Sequence, residues 1–126
     1  MNENEIAKTV LDAAFMVHRN LGPGLLESVY EKILYSELTD EYRLAVVCQQ
    51  RIPLKWKKLK LDVAFRADLV VENKVIIELK SVEEVHPIVS KQLLTYLKLT
   101  DCKLGLIINF NSSLLKDGVK RVVNNL

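Results

Sequence analysis

Cysteine and histidine are scarce in this chain, with two of each, and neither pair has a ligand-like spacing. Cys48 and Cys102 lie far apart without a CxxC, and His18 and His86 form no cluster. That excludes a disulfide framework and a Cys/His zinc site, and a reducing cytoplasm is the expected compartment. Long apolar runs are missing too. None approaches the ~20 residues of a membrane span, and the opening Met1-Asn2-Glu3-Asn4-Glu5 has nothing of a signal peptide. A soluble protein with no membrane partner is expected. A surplus of one charge is also lacking: the net charge is +2, so composition alone does not indicate a polyanionic partner. The chain contains no repeat, low-complexity tract or linker.

What is present is apolar residue, 49% of 126, enough for one core and one domain spanning 1–126. Ile6, Val10, Leu11, Ala14, Val17 and Leu21 follow helical spacing, and Asn2 with Glu5 fits a capping box. Gly22-Pro23-Gly24 stops that helix. A second helix is expected over 25–38, with β-type runs near 44–54, 59–71 and 75–81. Pro87 opens a third helix, 103–110 (KLGLIINF) reads as a doubly buried strand, and 114–126 reads as a final helix. The order ααβββαβα predicts a mixed α/β fold with helices against a central sheet.

Charges interrupt two of the apolar runs, at Arg66 and Asp68 in one and at Glu78 and Lys80 in the next. Strand alternation puts Leu61, Val63, Phe65, Ala67, Leu69 and Val71 on one face, with Val75, Ile77 and Leu79 beside them. Arg66, Asp68, Glu78 and Lys80 then share the other face, because a one-residue slip would send Glu78 and Lys80 into the core. Two registers satisfy this. A loop of Glu72-Asn73-Lys74 sets Asp68 opposite Glu78, a like-charge pair that calls for a cation between the carboxylates. A loop of Asn73-Lys74-Val75 sets Asp68 opposite Lys80, an ordinary surface pair worth ~0–1 kcal/mol. On the hairpin alone, a solvated face and a site both remain open.

Asp68 followed by Glu78-Leu79-Lys80 (E-x-K) resembles the core of the PD-(D/E)XK nucleases, with Ala67 standing where the signature has proline. Gly24-Leu25-Leu26-Glu27-Ser28-Val29-Tyr30 is similar to the signature of the GxxExxY family within that superfamily. Gln92-Leu93-Leu94-Thr95-Tyr96 resembles a Q-x-x-x-Y element that follows the active-site strands in a subset of these enzymes. The resemblance runs over essentially the whole chain. It implies a restriction-endonuclease-like αβββαβ core with added N- and C-terminal helices, and a nuclease acting on nucleic acid, DNA ahead of RNA.

The same resemblance implies a site. Asp68, Glu78, the Leu79 backbone carbonyl and Glu27 would hold Mg²⁺, with Mn²⁺ as a substitute, and Lys80 would complete the catalytic set. Arg66, Gln92 and Tyr96 would bind or position nucleic acid. Hard carboxylate oxygens suit such a cation, which keeps exchangeable waters for hydrolysis. Each residue also has a plainer reading: Glu27 as a surface helix glutamate, Tyr96 as a core tyrosine, Arg66 as a partner for a carboxylate. His86, before Pro87 at a helix start, is expected to do no chemistry. Lys55, Lys57, Lys58 and Lys60 around Trp56 read either as a solvated hairpin tip or as a phosphate-contacting patch. With no room for a separate DNA-reading domain, specificity would come from structure, a separate partner or a homodimer. The rival functions are a catalytically silent module that grips nucleic acid or a protein, and a hydrolase of another phosphate ester.

Overall fold

The computed structural model describes all 126 residues. Helix α1 (Glu3–Leu21) begins with the expected capping box: Glu5 N donates to Asn2 Oδ1 at 2.8 Å, and Asn2 N donates to Glu5 Oε1 at 3.0 Å. Its apolar stripe, Ile6, Val10, Ala13, Ala14 and Val17, is fully or nearly fully buried. Helix α2 (Glu27–Ser36) continues into a π-helical turn at Glu37–Glu41. Strands β1 (Val46–Trp56), β2 (Leu59–Val71) and β3 (Val75–Lys80) form an antiparallel meander. Helix α3 (Ile88–Thr100) then crosses over to β4 (Leu104–Asn109), which runs parallel to β3.

The last strand, β5 (Val119–Val123), completes a sheet that keeps chain order, β1-β2-β3-β4-β5, with helices covering both faces. α1 and α2 pack with Leu69, Val71, Ile77, Leu79, Leu106 and Ile108 in the larger cluster. α3 contributes Leu93 and Leu97 to a smaller one with Ala67, Val70, Ile76 and Ile107. Because both faces are covered, β3 and β4 are near-continuous apolar runs, as parallel strands with helices on either side must be.

Two expectations are corrected. The segment 114–126 is not a helix: Leu115–Gly118 forms one 3₁₀ turn, and β5 follows it antiparallel to β4. The spacing of Leu115, Val119, Val122 and Leu126 imitates a helix, but β-branched residues beside the open edge of β4 pair with it instead. The added C-terminal helix is therefore absent. Nor do Leu61 and Val63 reach a core; both are exposed, because β1 and β2 run on past the helices as a free ribbon.

The register of the β2–β3 hairpin is the first of the two alternatives. Leu69 pairs with Ile77, Val70 with Ile76 and Val71 with Val75, leaving Glu72-Asn73-Lys74 as the loop. Glu72 and Asn73 both take left-handed φ, 53° and 54°. The pairing stops at Leu69, just where Asp68 and Glu78 would face each other.

α3 lies so close to β4 that Gly105 has no room for a methyl group: an added Cβ would stand 2.8 Å from Leu93 Cδ2. Gly105→Ala is expected to lower the stability of the protein by about 1–3 kcal/mol through overpacking. Urea unfolding would measure it, and an unchanged midpoint would show that Leu93 can yield.

Candidate active site

The site forms where β2 and β3 part. Beyond Leu69 the ladder is replaced by a side chain: Leu79 N donates to Asp68 Oδ2 at 2.8 Å. On the other side of β2 the pairing with β1 also skips a rung. Gln49, at φ 49°, stands opposite Asp68 without a ladder partner. Its amide instead donates to Asp68 Oδ1 at 3.1 Å and to Glu31 Oε1 at 2.6 Å. Asp68 is thus fixed through both carboxylate oxygens.

This break also undoes the simple alternation. Leu69 and Val71 enter the α1/α2 core, whereas Ala67 and Phe65 pack on the α3 side with Val70 and Ile76. Arg66, between Phe65 and Ala67, therefore lies on the α2 side and does not share the face of Glu78, which is in step with Ile76. Asp68 and Glu78 meet in the gap between strands rather than on one flat face.

Glu78 is the strained member. It is 8% exposed, and its Oε1 is buried with no hydrogen-bond partner. Burial first, then the charge of Asp68 and a hydrogen bond to it, push its carboxyl up to about 8, while Lys80 pulls the other way. Near neutrality it holds a proton that an ordinary glutamate has lost. Burial also raises Glu27, with Asp68 adding to the rise and Lys80 opposing it. Glu31 is raised by burial and by the charges of Asp68 and Glu27, against the Gln49 hydrogen bond.

Glu27 and Glu31, one turn apart on α2, line an open recess with Leu26, Ser28, Gln49 and Asp68. What aims α2 at the strands is Tyr30. Its hydroxyl donates to Gly22 O at 2.5 Å and accepts from Leu25 N at 3.2 Å, and its ring stacks on Phe110 with centroids 4.4 Å apart. Ser81 Oγ adds a bond to Leu25 O at 2.7 Å, tying the start of α2 to the end of β3. In the Gly24…Glu27…Tyr30 pattern, then, the tyrosine holds the turn and the glutamate reaches the recess.

The other residues singled out divide. Tyr96 stacks on Phe65, centroids 3.6 Å apart, and its hydroxyl is raised by burial and then by Glu78 and Asp68, so it borders the carboxylates. Gln92 is exposed and makes no side-chain hydrogen bond; it is not drawn into the site. His86 Nδ1 accepts from Ile88 N at 3.0 Å, a cap for α3. Glu31 and Gln49 are the site residues to which the sequence assigned no role. Glu31 was within reach from its helical spacing to Glu27, but the turned-out Gln49 has no sequence signal. The widest surface recess, lined by residues including His86, Ser90, Asn109 and Asp117, is separate and contains none of these carboxylates.

No three His, Cys, Asp or Glu side chains converge closely enough to enclose a cation. Two carboxylates with open coordination positions are nevertheless what Mg²⁺ commonly accepts, since it keeps several waters and shares phosphate oxygens. The orphaned Oε1 of Glu78 beside Asp68 fits such an ion.

A model of the PD-(D/E)XK nuclease superfamily matches residues 4–122. No curated protein and no solved structure matches the chain. Members of the superfamily are usually nucleases and generally use divalent metals. The matched span takes in every strand of the sheet except the last residue of β5, and both carboxylate-bearing strands lie well inside it. The chain belongs to the PD-(D/E)XK nuclease superfamily.

Proposed function

We propose that the protein is a divalent-metal-dependent nuclease, a GxxExxY-type member of its superfamily, that hydrolyses phosphodiester bonds of DNA in preference to RNA. The observation that carries this reading is the buried, unpartnered Glu78 carboxyl oxygen beside Asp68 at the parted strands. Asp68 and Glu78 would hold Mg²⁺ or Mn²⁺ with the Leu79 carbonyl, and Glu27 would reach it directly or through water. Such an ion lowers the pKa of a bound water and neutralises phosphoryl oxygens.

The protein's own groups have distinct tasks. Asp68 is oriented by Leu79 N and Gln49, so it presents its charge without rearranging. Glu78 would have to give up its proton to hold a cation, which would couple binding to pH. Lys80, half-buried at the end of β3, provides a fixed positive charge beside Glu27 and Glu78 for the phosphorane that forms at phosphorus. The 126 residues act as one domain in this reading. Cys48 and Cys102, both free thiols, suit a reducing cytoplasm.

The test is cleavage of a panel of single-stranded, duplex and branched DNA and of RNA, with Mg²⁺ or Mn²⁺ and with chelator. No cleavage of any member, together with binding in chelator, would replace the nuclease reading with a silent binding module. If the protein cleaves, Lys80→Ala is expected to lose at least ~100-fold in kcat, within the range of one electrostatic contact. It should still bind Mn²⁺ by calorimetry, since an ammonium offers no ligand atom. Full activity would remove Lys80 from the chemistry.

Glu78 makes a second prediction, on stability. Its folded pKa lies above the unfolded value, so the folded state binds the extra proton between about pH 4.5 and 8. Without metal, stability therefore falls as pH rises through that window, by up to about 1.4 kcal/mol per pH unit from this group. Glu78→Gln keeps the volume and removes the titration. Metal-free Glu78→Gln should melt above wild type at pH 8, with the gap closing toward pH 4.5. With Mn²⁺ at ~100 times its dissociation constant, wild type should gain about 2.7 kcal/mol and the variant much less. Equal gains would place the cation elsewhere.

A further inference from the structure

The β1–β2 hairpin outruns the rest of the sheet. From Pro53 to Ala64 every residue except Leu54 is exposed, although β1 and β2 remain paired to their ends at Trp56 and Leu59. Between Arg51 and Arg66 lie six basic residues (Arg51, Lys55, Lys57, Lys58, Lys60 and Arg66) against one carboxylate, Asp62. The hairpin thus carries +5 in a chain of net +2, which leaves the remainder at −3.

The pairing makes this charge costly. Arg51 faces Arg66 and Lys55 faces Lys60 as direct cross-strand partners. Like charges in that position destabilise a ribbon. None of the six is in a salt bridge; Lys8–Asp12 is the one ion pair in the protein. The register shift between Ile52 and Leu54 adds two residues to β2 and so preserves the alternation. Both basic rungs fall on the face opposite Ile52, Phe65 and Ala67, the α2 side, on which Glu27 and Glu31 line the recess with Asp68. At the tip of the arm Trp56, the only tryptophan, falls by the same alternation on the other face, with Ile52 and Leu54; it is 66% exposed, with Lys57 Nζ 5.7 Å from its ring centroid.

We propose that this hairpin is an arm that grips a single-stranded nucleic-acid segment and leads it to Asp68, with phosphates along the Arg51/Arg66 and Lys55/Lys60 rungs and a base on Trp56 where the strand rounds the tip. The proposal rests on the reading of the protein as a nuclease and adds its substrate class. A polyanion neutralises the repelling rungs, which a protein partner would have to match with a row of carboxylates. A free indole stacks only on a base that has left a duplex, so the preferred substrate has an unpaired stretch. Lys60 and Asp68 are eight residues apart on β2 but span only six on β1, which sets their separation at ~20–27 Å at strand rise. That is about six to eight phosphate spacings at the rise of a stacked strand, so an oligonucleotide of about sixteen residues covers both ends.

Trp56 is its own probe. Titration of the wild-type protein in chelator with a single-stranded oligonucleotide of about sixteen residues should quench its emission through stacking, with the matching duplex less effective. Lys55→Gln/Lys60→Gln should bind a labelled oligonucleotide about tenfold or more weakly. Its log–log salt dependence should be shallower by about 1.4, ~0.7 for each single-strand phosphate that the variant no longer neutralises. Trp56→Ala should weaken single-strand binding by about tenfold while changing duplex binding little. These positions lie outside both core clusters, so the fold should survive each change, which circular dichroism checks. Binding with unaltered emission, or equal binding by the lysine variant, would overturn the arm and leave the nuclease reading standing. Failure of every nucleic acid to bind would overturn both. A dimer in sedimentation whose interface buries Trp56 would assign the hairpin to a second copy and overturn the proposal.

Discussion

Two carboxyl groups, Asp68 and Glu78, are brought together at the one point where a continuous β-ladder would otherwise run through. An antiparallel pair in this register sets Asp68 and Glu78 opposite one another. The conflict is met in three ways at once. The strands stop pairing after Leu69 and Ile77, the Asp68 carboxylate takes over the hydrogen bond to Leu79 N, and Glu78 retains a proton. Each of these sacrifices some stability: missing ladder bonds, a desolvated carboxyl, and an oxygen without a partner. The surrounding apolar core, with Ile76, Ile77 and Leu79 fully buried on both faces of β3, is what makes that arrangement sustainable. Sites that keep local strain of this kind are commonly the functional ones.

The same constraint organises the supporting residues. The β1–β2 ladder, paired on both sides of Asp68, skips one rung there, and Gln49 bridges it by reaching both Asp68 and Glu31. Glu31 and Glu27 are in turn set by α2, whose entry angle depends on Tyr30 binding Gly22 and Leu25 and stacking on Phe110. At the far end of β3, Phe110 N donates to Lys80 O at 2.9 Å, and Asn109 grips Val82 through both of its side-chain groups. The end of β4 therefore positions the lysine while the start of α2 positions the glutamates.

Much of this was legible in the sequence, and what was not has physical reasons. The capping box at Asn2 and Glu5, the crossover helix after Pro87 and the buried KLGLIINF strand are local or strongly periodic signals, and they appear where the pattern put them. The odd-length hairpin loop followed from keeping Ile77 and Leu79 inside, although the choice between two loops depended on left-handed backbone at Glu72 and Asn73. The end of the chain misled because leucine and valine at three- and four-residue intervals satisfy a helix as well as they do an edge strand. Strict alternation failed at Asp68, since the sequence carries no mark of the unpaired, left-handed Gln49 that breaks the rung. Arg66 went to the wrong face for the same reason.

Strand β2 gives the charge layout a logic of its own. Thirteen residues long, it begins in an exposed basic ribbon and ends in an acidic, half-desolvated gap. In a protein of net charge +2 this separation is invisible in composition and large in effect. An approaching polyanion is repelled by Glu27, Glu31 and Asp68 but attracted by the ribbon, which the ~8 Å screening length of physiological salt keeps electrostatically distinct. A divalent cation at the carboxylates would offset part of that negative charge and lower the barrier between the two regions. In the proposed reading a cation would precede the substrate on electrostatic grounds alone, because each carboxylate that repels a phosphate would attract the ion that bridges them.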